Sequence, residues 1–304
     1  MIDTLIVGGG PAGLTAAIYA ARFLLNATLV DAGNSRCSLI PLTRNHAGFP
    51  DGVSGIELLQ RMAEQARRYG AKLVSGEVGP LERIDGGFRA RFGDSTLETR
   101  TVLLATGVRN RRPSMDGEVH DRALASGRLR YCPVCDGYEV TDQPVAVVGQ
   151  GARAAREAEF LLSYTAKVSF IPAGAGDGLT PEERDRLDAL GVERLAGPVQ
   201  DFRLEEDGLS LACGNRRRTF ASVYPSLGSD VHSDLARALG AAVTGDGCIR
   251  VDAHQRTSVE GLYAAGDVVL GLDQISHAMG EAGVAATTIR NDLAAKAPRL
   301  RRPA

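Results

Sequence analysis

Hydrophobic and polar positions alternate in a regular order over the first thirty residues. An apolar run at residues 4–7 predicts a buried strand, and glycine fills most of residues 8–13. A short apolar run at residues 27–30 then ends at Asp31. Between the two runs, apolar side chains recur at helical spacing, at Leu14, Ala17, Ile18, Ala21 and Leu25. The pattern predicts a strand, a glycine turn, a helix and a second strand that ends in an acidic residue.

The same pattern returns in the middle of the chain. Residues 145–148 predict a strand, glycines at 149 and 151 open a helix to about residue 163, and residues 167–171 predict the next strand. A helix is predicted at about 55–69, strands at 71–75, 88–92 and 101–104, and a final helix from near Ile275. Two such halves predict the α/β class, with two nucleotide-binding, Rossmann-like three-layer domains.

The first glycine turn has the spacing of a dinucleotide-binding fingerprint. Gly8 permits the tight turn, Gly10 lets the backbone approach a pyrophosphate, and Gly13 permits close packing of the helix. The helix N-terminus offers N–H donors to the phosphates. Asp31 is placed to accept a hydrogen bond from a ribose hydroxyl.

The second glycine turn lacks the expected recognition residues. The strand that follows it should end in an acid for NAD or in arginines for the 2′-phosphate of NADP. Residues 172–176 instead read Pro-Ala-Gly-Ala-Gly, and the first charged residue is Asp177. The domain is therefore predicted to be a degenerate NAD(P)-like domain. A weak NADH site that uses Asp177 or Arg153 is the less favoured interpretation.

The redox chemistry is predicted to lie in the pair Cys132 and Cys135. Two residues separate these cysteines, so the pair can alternate between dithiol and disulfide with little backbone motion. Asp136 follows the second cysteine and is a candidate for moving the proton that leaves or enters the sulfur. Structural zinc is the alternative, but it normally requires four ligands, and the sequence has no second Cys-x-x-Cys or paired His to supply them.

Composition argues against three other classes of protein: nucleic-acid-binding, membrane-spanning and disulfide-rich secreted proteins. The net charge of −2 argues against a nucleic-acid surface, and the basic runs at 216–218 and 299–302 are predicted to be a solvated turn and a tail. No apolar run has the ~20 residues that a membrane-spanning helix needs. There is no signal-peptide pattern, and the five cysteines form no disulfide framework, so a cytoplasmic location is expected.

Together these motifs resemble the low-molecular-weight thioredoxin reductase family of flavoproteins, over nearly the whole chain. The resemblance implies an FAD/NAD(P)-binding disulfide reductase fold and a homodimer. It implies a discontinuous FAD domain at 1–113 and 245–304, with an inserted domain at 114–244 that carries the cysteines. The FAD-binding residues that it implies are Gly8, Gly10, Pro11, Ala12, Gly13, Asp31, Asn45, Ala105, Thr106, Gly107, Gly266, Asp267, Gln274 and Ile275.

The chain departs from this family at one position of the pattern. Members that use NADPH carry a His-Arg-Arg-x-x-x-Arg run where this chain has Ile171, Pro172, Ala173 and Gly174. The chain therefore resembles the divergent branch that lacks the NADPH signature, which includes ferredoxin-dependent reductases and dithiol oxidases. Reduced FAD is expected to pass electrons to the cysteine pair and on to thioredoxin or a similar protein disulfide, with ferredoxin as a candidate donor.

Two alternatives remain open. In the first, electrons flow the other way: a substrate dithiol reduces the cysteine pair, the pair reduces FAD, and oxygen reoxidises the flavin. His277 is a candidate base for that reaction, although a structural role is favoured for it. In the second, the protein is a flavin redox sensor without turnover, which the exchangeable dithiol beside Asp136 argues against. Isolated cysteines at 37, 213 and 248 are expected to pack as small apolar side chains.

Overall fold

A computed structural model describes residues 1–298, so the predicted basic tail at 299–302 lies outside the described residues. The chain divides into two compact units. The first contains Met1–Ser38, Ser54–Arg109 and the chain from Asp230 onward, and the second contains Leu39–Val53 and Asn110–Ser229. The domain limits predicted at 113 and 245 stay predictions beside this division.

The helices and strands follow one another in an α/β order. As far as Asn110 they are β1 (Ile2–Val7), α1 (Pro11–Arg22), β2 (Ala27–Asp31), α2 (Gly55–Arg68), β3 (Lys72–Ser75), β4 (Val78–Ile84), β5 (Gly87–Phe92), β6 (Ser95–Leu104) and β7 (Val108–Asn110). The second stretch contains α3 (Gly117–Ala125), α4 (Pro133–Asp136), β8 (Val145–Gly149), α5 (Gly151–Leu161), β9 (Val168–Pro172), α6 (Pro181–Ala189), β10 (Glu193–Arg194), β11 (Val199–Leu204), β12 (Leu209–Cys213), β13 (Arg216–Phe220), β14 (Ser222–Ser226) and β15 (Ser229–Val231). The last stretch contains α7 (Asp234–Ala238), β16 (Leu262–Ala264) and α8 (Ile275–Lys296), and short 3-10 helices cover Arg36–Leu39 and Gly137–Val140.

The first unit is built on a seven-stranded sheet, in which six strands have the order β3-β2-β1-β6-β5-β4 and β16 is the seventh. Strands β3, β2, β1 and β6 are parallel, whereas β5 and β4 form an antiparallel meander. The carboxyl-terminal half of β6 pairs in parallel with β16 as well. Since parallel strands end at the same edge of a sheet, this topology brings together the segments that follow β1, β2, β6 and β16.

Local sequence explains why α1 and α8 form where they do. Pro11 occupies the first turn of α1, where its missing N–H costs no hydrogen bond, and the buried side chains of α1 are mostly small. Helix α8 begins after Gln274 and also buries a series of alanines. The two helices pack against each other. The sheet's own core is made of larger aliphatic side chains, among them Leu5, Val102 and Leu104.

The second unit has a smaller parallel sheet and a separate antiparallel one. The parallel sheet has the order β10-β9-β8-β14, and the antiparallel sheet has the order β11-β12-β13. The central strands β8 and β9 are fully buried, which explains their continuous apolar sequence. Segments that follow β8, β9 and β14 therefore lie at one edge of this sheet.

The α/β class and the Rossmann-like pattern predicted from the sequence are confirmed. Several elements were not predicted, however. Strands β4, β11 and β13 contain exposed charged residues and few buried ones, so their apolar signal is weak, whereas the missed strand β12 is mostly buried. The basic run at 216–218, predicted to be a solvated turn, forms the start of β13. Within residues 1–298, no helix is both long enough and apolar enough to cross a bilayer.

Candidate flavin cradle and redox disulfide

The glycine turn after β1 is shaped by contacts that exclude side chains. Gly8 has a φ of +106°, and a Cβ built on it would overlap the carbonyl oxygen of Ala105. A Cβ on Gly13 would overlap the carbonyl oxygen of Gly8. Both glycines are therefore required by close backbone approach, and the start of α1 lies directly against the ends of β1 and β6.

Asp31 lies at the carboxyl end of β2 and contacts the glycine turn. Its Oδ1 accepts a hydrogen bond of 2.9 Å from the Gly9 N–H. A Cβ on Gly9 would come within 2.8 Å of the Asp31 Cβ, so this glycine is also needed for the approach. The acid predicted to hold a ribose hydroxyl thus lies next to the turn predicted to hold a pyrophosphate.

The segment after β6 is fixed to the chain near residue 232. Thr106 Oγ1 donates to the carbonyl oxygen of His232 at 2.6 Å, and the His232 N–H donates to the carbonyl oxygen of Gly107 at 3.0 Å. His232 Nδ1 lies 3.0 Å from the carbonyl oxygen of Thr106. These bonds hold Ala105, Thr106 and Gly107 at the sheet edge. Sequence reasoning missed His232, which is 126 residues away and belongs to no motif.

Gly266 and Asp267 follow β16 and are held by two side chains that the sequence motifs did not include. Glu281 Oε2 accepts from the Gly266 N–H at 2.7 Å. Arg36 Nη1 donates to Asp267 Oδ2 at 3.1 Å and to Asp273 Oδ2 at 2.7 Å. Burial and the neighbouring Asp273 raise the pKa of Asp267, and the Arg36 guanidinium opposes that rise.

The other predicted flavin residues divide between the two units. Pro11 and Ala12 lie in the first turn of α1, and Gln274 and Ile275 lie at the start of α8. All four belong to the first unit, as do the glycine turn and Asp267. Asn45 belongs to Leu39–Val53, which groups with the second unit, and its Oδ1 accepts from Thr43 Oγ1 at 2.9 Å.

These residues fit a dinucleotide that carries a flavin. A Cβ at position 8, 9 or 13 would overlap the protein's own atoms, so the turn keeps a bare backbone that a phosphate could approach closely. An acid stands at the end of β2, and the two helices α1 and α8 both begin at the edge where the cradle lies. Helix N-termini favour phosphate oxygens and the negative charge of a reduced flavin. The first unit therefore has the residues needed to hold the phosphates and ribose of such a cofactor.

The two cysteines of the second unit lie in disulfide contact. Their Cα atoms are 5.2 Å apart, and Cys132 precedes the single turn of α4, in which Cys135 lies. The Cys135 N–H donates to Cys132 Sγ at 3.1 Å. In residues 1–298, no group of three or more His, Cys, Asp or Glu side chains is placed to hold a metal ion. The cysteine pair is a disulfide in this structure.

The side chain of Asp136 is 23% exposed and is bound at both of its carboxylate oxygens. Arg130 Nη1 lies 3.0 Å from Oδ2, and the Tyr224 hydroxyl donates to Oδ1 at 3.1 Å. Burial raises the pKa of Asp136, whereas Arg130 and Tyr224 act in the opposite direction. Arg130 and Tyr224 were not predicted from the sequence, because neither belongs to one of its motifs.

The second glycine turn is covered by the loop that follows β9. The Gly151 N–H donates to the carbonyl oxygen of Asp177 at 2.7 Å, and Gln150 Nε2 donates to the carbonyl oxygen of Gly176 at 2.7 Å. The Asp177 carboxylate is bound by Arg184 through two hydrogen bonds of 2.9 and 2.7 Å. The N–H that would meet a pyrophosphate is therefore bonded to the protein's own backbone.

The isolated cysteines and histidines have structural contacts. Cys37 Sγ lies 3.9 Å from the carbonyl oxygen of Gly55, and burial raises the pKa of its thiol to about 12, so it stays protonated. Cys213 is also buried. His46 stacks on Phe49 with ring centroids 5.5 Å apart. His277 Nε2 lies 3.1 Å from Glu281 Oε1.

Comparison with known proteins places the chain in a family. The model of the pyridine nucleotide-disulphide oxidoreductase family matches residues 2–282. Thioredoxin reductase from Aquifex aeolicus is 32% identical, over 88% of this chain and 85% of that protein. Thioredoxin reductase from Peptoclostridium acidaminophilum is 30% identical, over 94% of this chain and 95% of that protein.

A solved structure agrees with these sequence relatives. The crystal structure of thioredoxin reductase from Streptococcus pyogenes superposes with a TM-score of 0.89 at 29% identity, covering 97% of this chain and 99% of that one. The predicted likeness to thioredoxin reductases and the predicted enzyme class are confirmed. The chain belongs to the pyridine nucleotide-disulphide oxidoreductase family and is a thioredoxin reductase-like, flavin-dependent disulfide oxidoreductase.

Proposed function

We propose that the protein uses FAD to reduce the Cys132–Cys135 disulfide, that the resulting dithiol reduces thioredoxin or a similar protein disulfide, and that NADPH is not the electron donor. The observation that carries the last part is the Gly151 N–H bonded to the carbonyl oxygen of Asp177. A nicotinamide dinucleotide would have to displace this bond and the Gln150 bond to Gly176 before its pyrophosphate could reach the turn.

The cofactor proposed for the first unit is FAD, held by the residues predicted from the sequence. When bound, FAD supplies a carrier that takes up and releases two electrons. Gly8, Gly10 and Gly13 would admit the pyrophosphate, and Asp31 would accept from the ribose. Arg36 fixes the Asp267 carboxylate, and Glu281 fixes the Gly266 backbone, so the segment after β16 is held in one position.

The cysteine pair is proposed to carry the electrons outward. Reduction of its S–S bond consumes two electrons and two protons and gives two thiols. Attack of one thiolate on a partner's disulfide then releases the partner's dithiol and restores the Cys132–Cys135 bond. Asp136 is proposed to give and take the proton at the nearer sulfur. A reducing cytoplasmic location is proposed from the cysteine usage, and a homodimer is proposed from the family resemblance.

The donor is tested by anaerobic mixing of the yellow holoprotein with four reductants, each in a separate experiment. NADPH and NADH are expected to leave the flavin absorbance unchanged, whereas reduced ferredoxin is expected to bleach it. Rapid bleaching by NADPH at submillimolar concentration would disprove the donor proposal. The Cys132→Ser and Cys135→Ser variants are expected to lose turnover with a thioredoxin-type disulfide while they retain the flavin.

The bonded Gly151 N–H is also compatible with electron flow in the reverse direction, from a substrate dithiol through the cysteine pair to FAD and oxygen. A dithiol oxidase of this kind needs no nucleotide donor. The fourth reductant is therefore a small dithiol. If it bleaches the flavin rapidly and ferredoxin does not, and if air then restores the colour with stoichiometric oxygen uptake, the protein is a dithiol oxidase that uses the same cysteine pair.

A further inference from the structure

Two side chains, Arg130 and Tyr224, hold the carboxylate of Asp136. A group that only carries a proton to a neighbouring disulfide does not need two such partners. Arg130 and Tyr224 come from separate parts of the second unit and each binds a different oxygen of the same carboxylate, at 3.0 and 3.1 Å. The Tyr224 side chain is completely buried in the middle of β14. Neither residue was assigned a role in the proposed function.

Arg130 is held in place by backbone and side-chain bonds to β14. Its N–H donates to the carbonyl oxygen of Val223 at 2.9 Å, and its Nε donates to Ser222 Oγ at 3.2 Å. A Cβ on Gly127 would lie 2.8 Å from Arg130 Nη2, so the absence of a side chain there makes room for the guanidinium. Only 19% of the Arg130 side chain is exposed. The charge of Arg130 therefore stays beside Asp136.

The groups around Asp136 act on its pKa in opposite directions. Burial and the nearby Glu139 favour the neutral acid, whereas Arg130 and the Tyr224 hydroxyl favour the carboxylate. Glu139 Oε1 lies 3.6 Å from Arg44 Nη1, and its Oε2 has no hydrogen-bond partner among the described residues. Burial and the Asp136 charge raise the pKa of Tyr224, so its hydroxyl remains a donor. Arg130 is the one positive group bonded to Asp136 in residues 1–298.

We propose that Arg130 and Tyr224 are positioning residues that hold the Asp136 carboxylate and decide when it exchanges a proton with the Cys132–Cys135 pair. This inference rests on the proposed function, because it requires Asp136 to move a proton at the sulfur. When the two electrons that the proposed function supplies break the S–S bond, the neutral acid would give its proton to the nearer sulfur. When the dithiol attacks a partner's disulfide, the carboxylate takes that proton back, which leaves a thiolate to form the new S–S bond.

The first test is the titration of Asp136 in the holoprotein labelled with 13C at the aspartate carboxyl, with Asp136→Asn to assign the signal. Arg130→Met is expected to move the midpoint upward by roughly 1 pH unit, because an opposite charge at this distance typically lowers a carboxyl pKa by 1–3 units. Tyr224→Phe is expected to move it upward by less. Arg130→Lys should restore most of the wild-type midpoint.

The second test is the pH profile of one turnover, in which the prereduced holoprotein reduces a thioredoxin-type disulfide. The rate should fall on the acidic side as Asp136 becomes protonated. Arg130→Met should shift the midpoint of that limb to higher pH. For a shift of one pH unit, the rate at pH values below the midpoint should be about tenfold lower than in the wild type. In an Asp136→Asn background, Arg130→Met should cause no further shift.

Arg128→Met is the matched control. Arg128 lies two residues away, and its guanidinium donates to the carbonyl oxygens of Ala221 and Glu206 rather than to Asp136. It should leave both readouts unchanged. The inference is overturned if Arg130→Met leaves the Asp136 titration unchanged, or shifts the pH profile equally when Asp136 is Asn. If Asp136→Asn itself leaves the acidic limb intact, the proposed proton transfer fails instead.

Discussion

The two glycine turns of this chain share a sequence pattern but bond to different partners. In the first unit, the Gly9 N–H meets the side chain of Asp31 at the end of the next strand. In the second unit, the Gly151 N–H meets the backbone carbonyl of Asp177 in the loop after the next strand. The glycine pattern thus predicts the shape of a turn, whereas the residues after the second strand determine which partner its backbone N–H groups bond.

The difference originates in a short stretch of sequence. Strand β2 ends in Asp31, which reaches back to the turn, while β9 ends in Pro172 and continues into small residues that fold over the turn. Gly178 lies so close that a Cβ on it would be 3.1 Å from the Gly151 nitrogen. A side chain at residue 178 would therefore crowd the Gly151 nitrogen. Small residues therefore replace the recognition side chains and allow the loop to cover the turn.

The largest effect is expected from a side chain in the first turn. Gly13→Ala would place a methyl group on the carbonyl oxygen of Gly8, and neither backbone segment can move without displacing α1 or β1. We expect at least a tenfold loss of bound flavin and a destabilisation of roughly 1–3 kcal/mol. Flavin absorbance per mole of purified protein and the urea unfolding midpoint measure the two effects.

Gly176→Ala, in the loop that covers the second turn, is the control, since a Cβ there would meet no atom of residues 1–298 within 4 Å. It should keep the wild-type flavin content and midpoint. Equal losses in both variants would mean that the loss in Gly13→Ala does not come from the overlap with Gly8.

An intermediate effect is expected from Asp31→Ala. The change removes a charged acceptor that bonds to the Gly9 N–H and is proposed to bond to a ribose hydroxyl. Hydrogen bonds to charged groups contribute ~1.5–3 kcal/mol each, so FAD binding should weaken by about 10- to 100-fold. Titration of the apoprotein by quenching of FAD fluorescence gives the dissociation constant. An unchanged constant would remove Asp31 from the site.

The smallest effect is expected from Asp177→Ala in the covered loop. Arg184 lowers the pKa of Asp177 from 3.8 to about 2, so the ion pair stabilises the fold above pH 3.8, and this contribution is lost as the pH falls toward 2. Because the Arg184 side chain is 40% exposed and solvent screens the ion pair, the variant should be less stable by only about 1 kcal/mol at pH 7. Urea unfolding at pH 7 and at pH 3 measures the change.

The difference between wild type and this variant should shrink at the lower pH. NADPH should still leave the flavin unbleached, because the backbone bond from Gly151 to residue 177 does not need the carboxylate. A difference that grew on acidification would contradict the assigned ion pair.

Local patterns in the sequence predicted those parts of the fold that depend on neighbouring residues. The helix at 55–68 has a strong apolar stripe, and β1, β2 and β8 are short apolar runs beside glycine. The cysteine pair and its closure could be predicted because only two residues separate the sulfurs. The antiparallel sheet β11–β13 was missed because charged residues such as Arg216 and Arg217 occupy its exposed edge.

The residues that hold the site could not be predicted in the same way. Arg36 is 231 residues from Asp267, and Tyr224 is 88 residues from Asp136. Such pairs arise from the order of strands in a sheet and leave no periodic signal in the sequence. For the loop over the second turn, the sequence showed only that no acidic residue ends the preceding strand. The bonds of the loop could not be predicted, because they are made by backbone carbonyls that any residue possesses.

Strands β5 and β16 both pair with β6, and this has a consequence for the order in which the sheet can form during synthesis. Residues 95–99 of this strand pair with β5, which is synthesised just before it, whereas residues 102–104 must wait for β16, about 160 residues later. Helix α8, which packs on α1, emerges later still. The ribosome therefore releases every residue of the cysteine-bearing unit before the other unit has its last strand, and a message truncated ahead of codon 262 encodes an intact redox module beside an unfinished cofactor module.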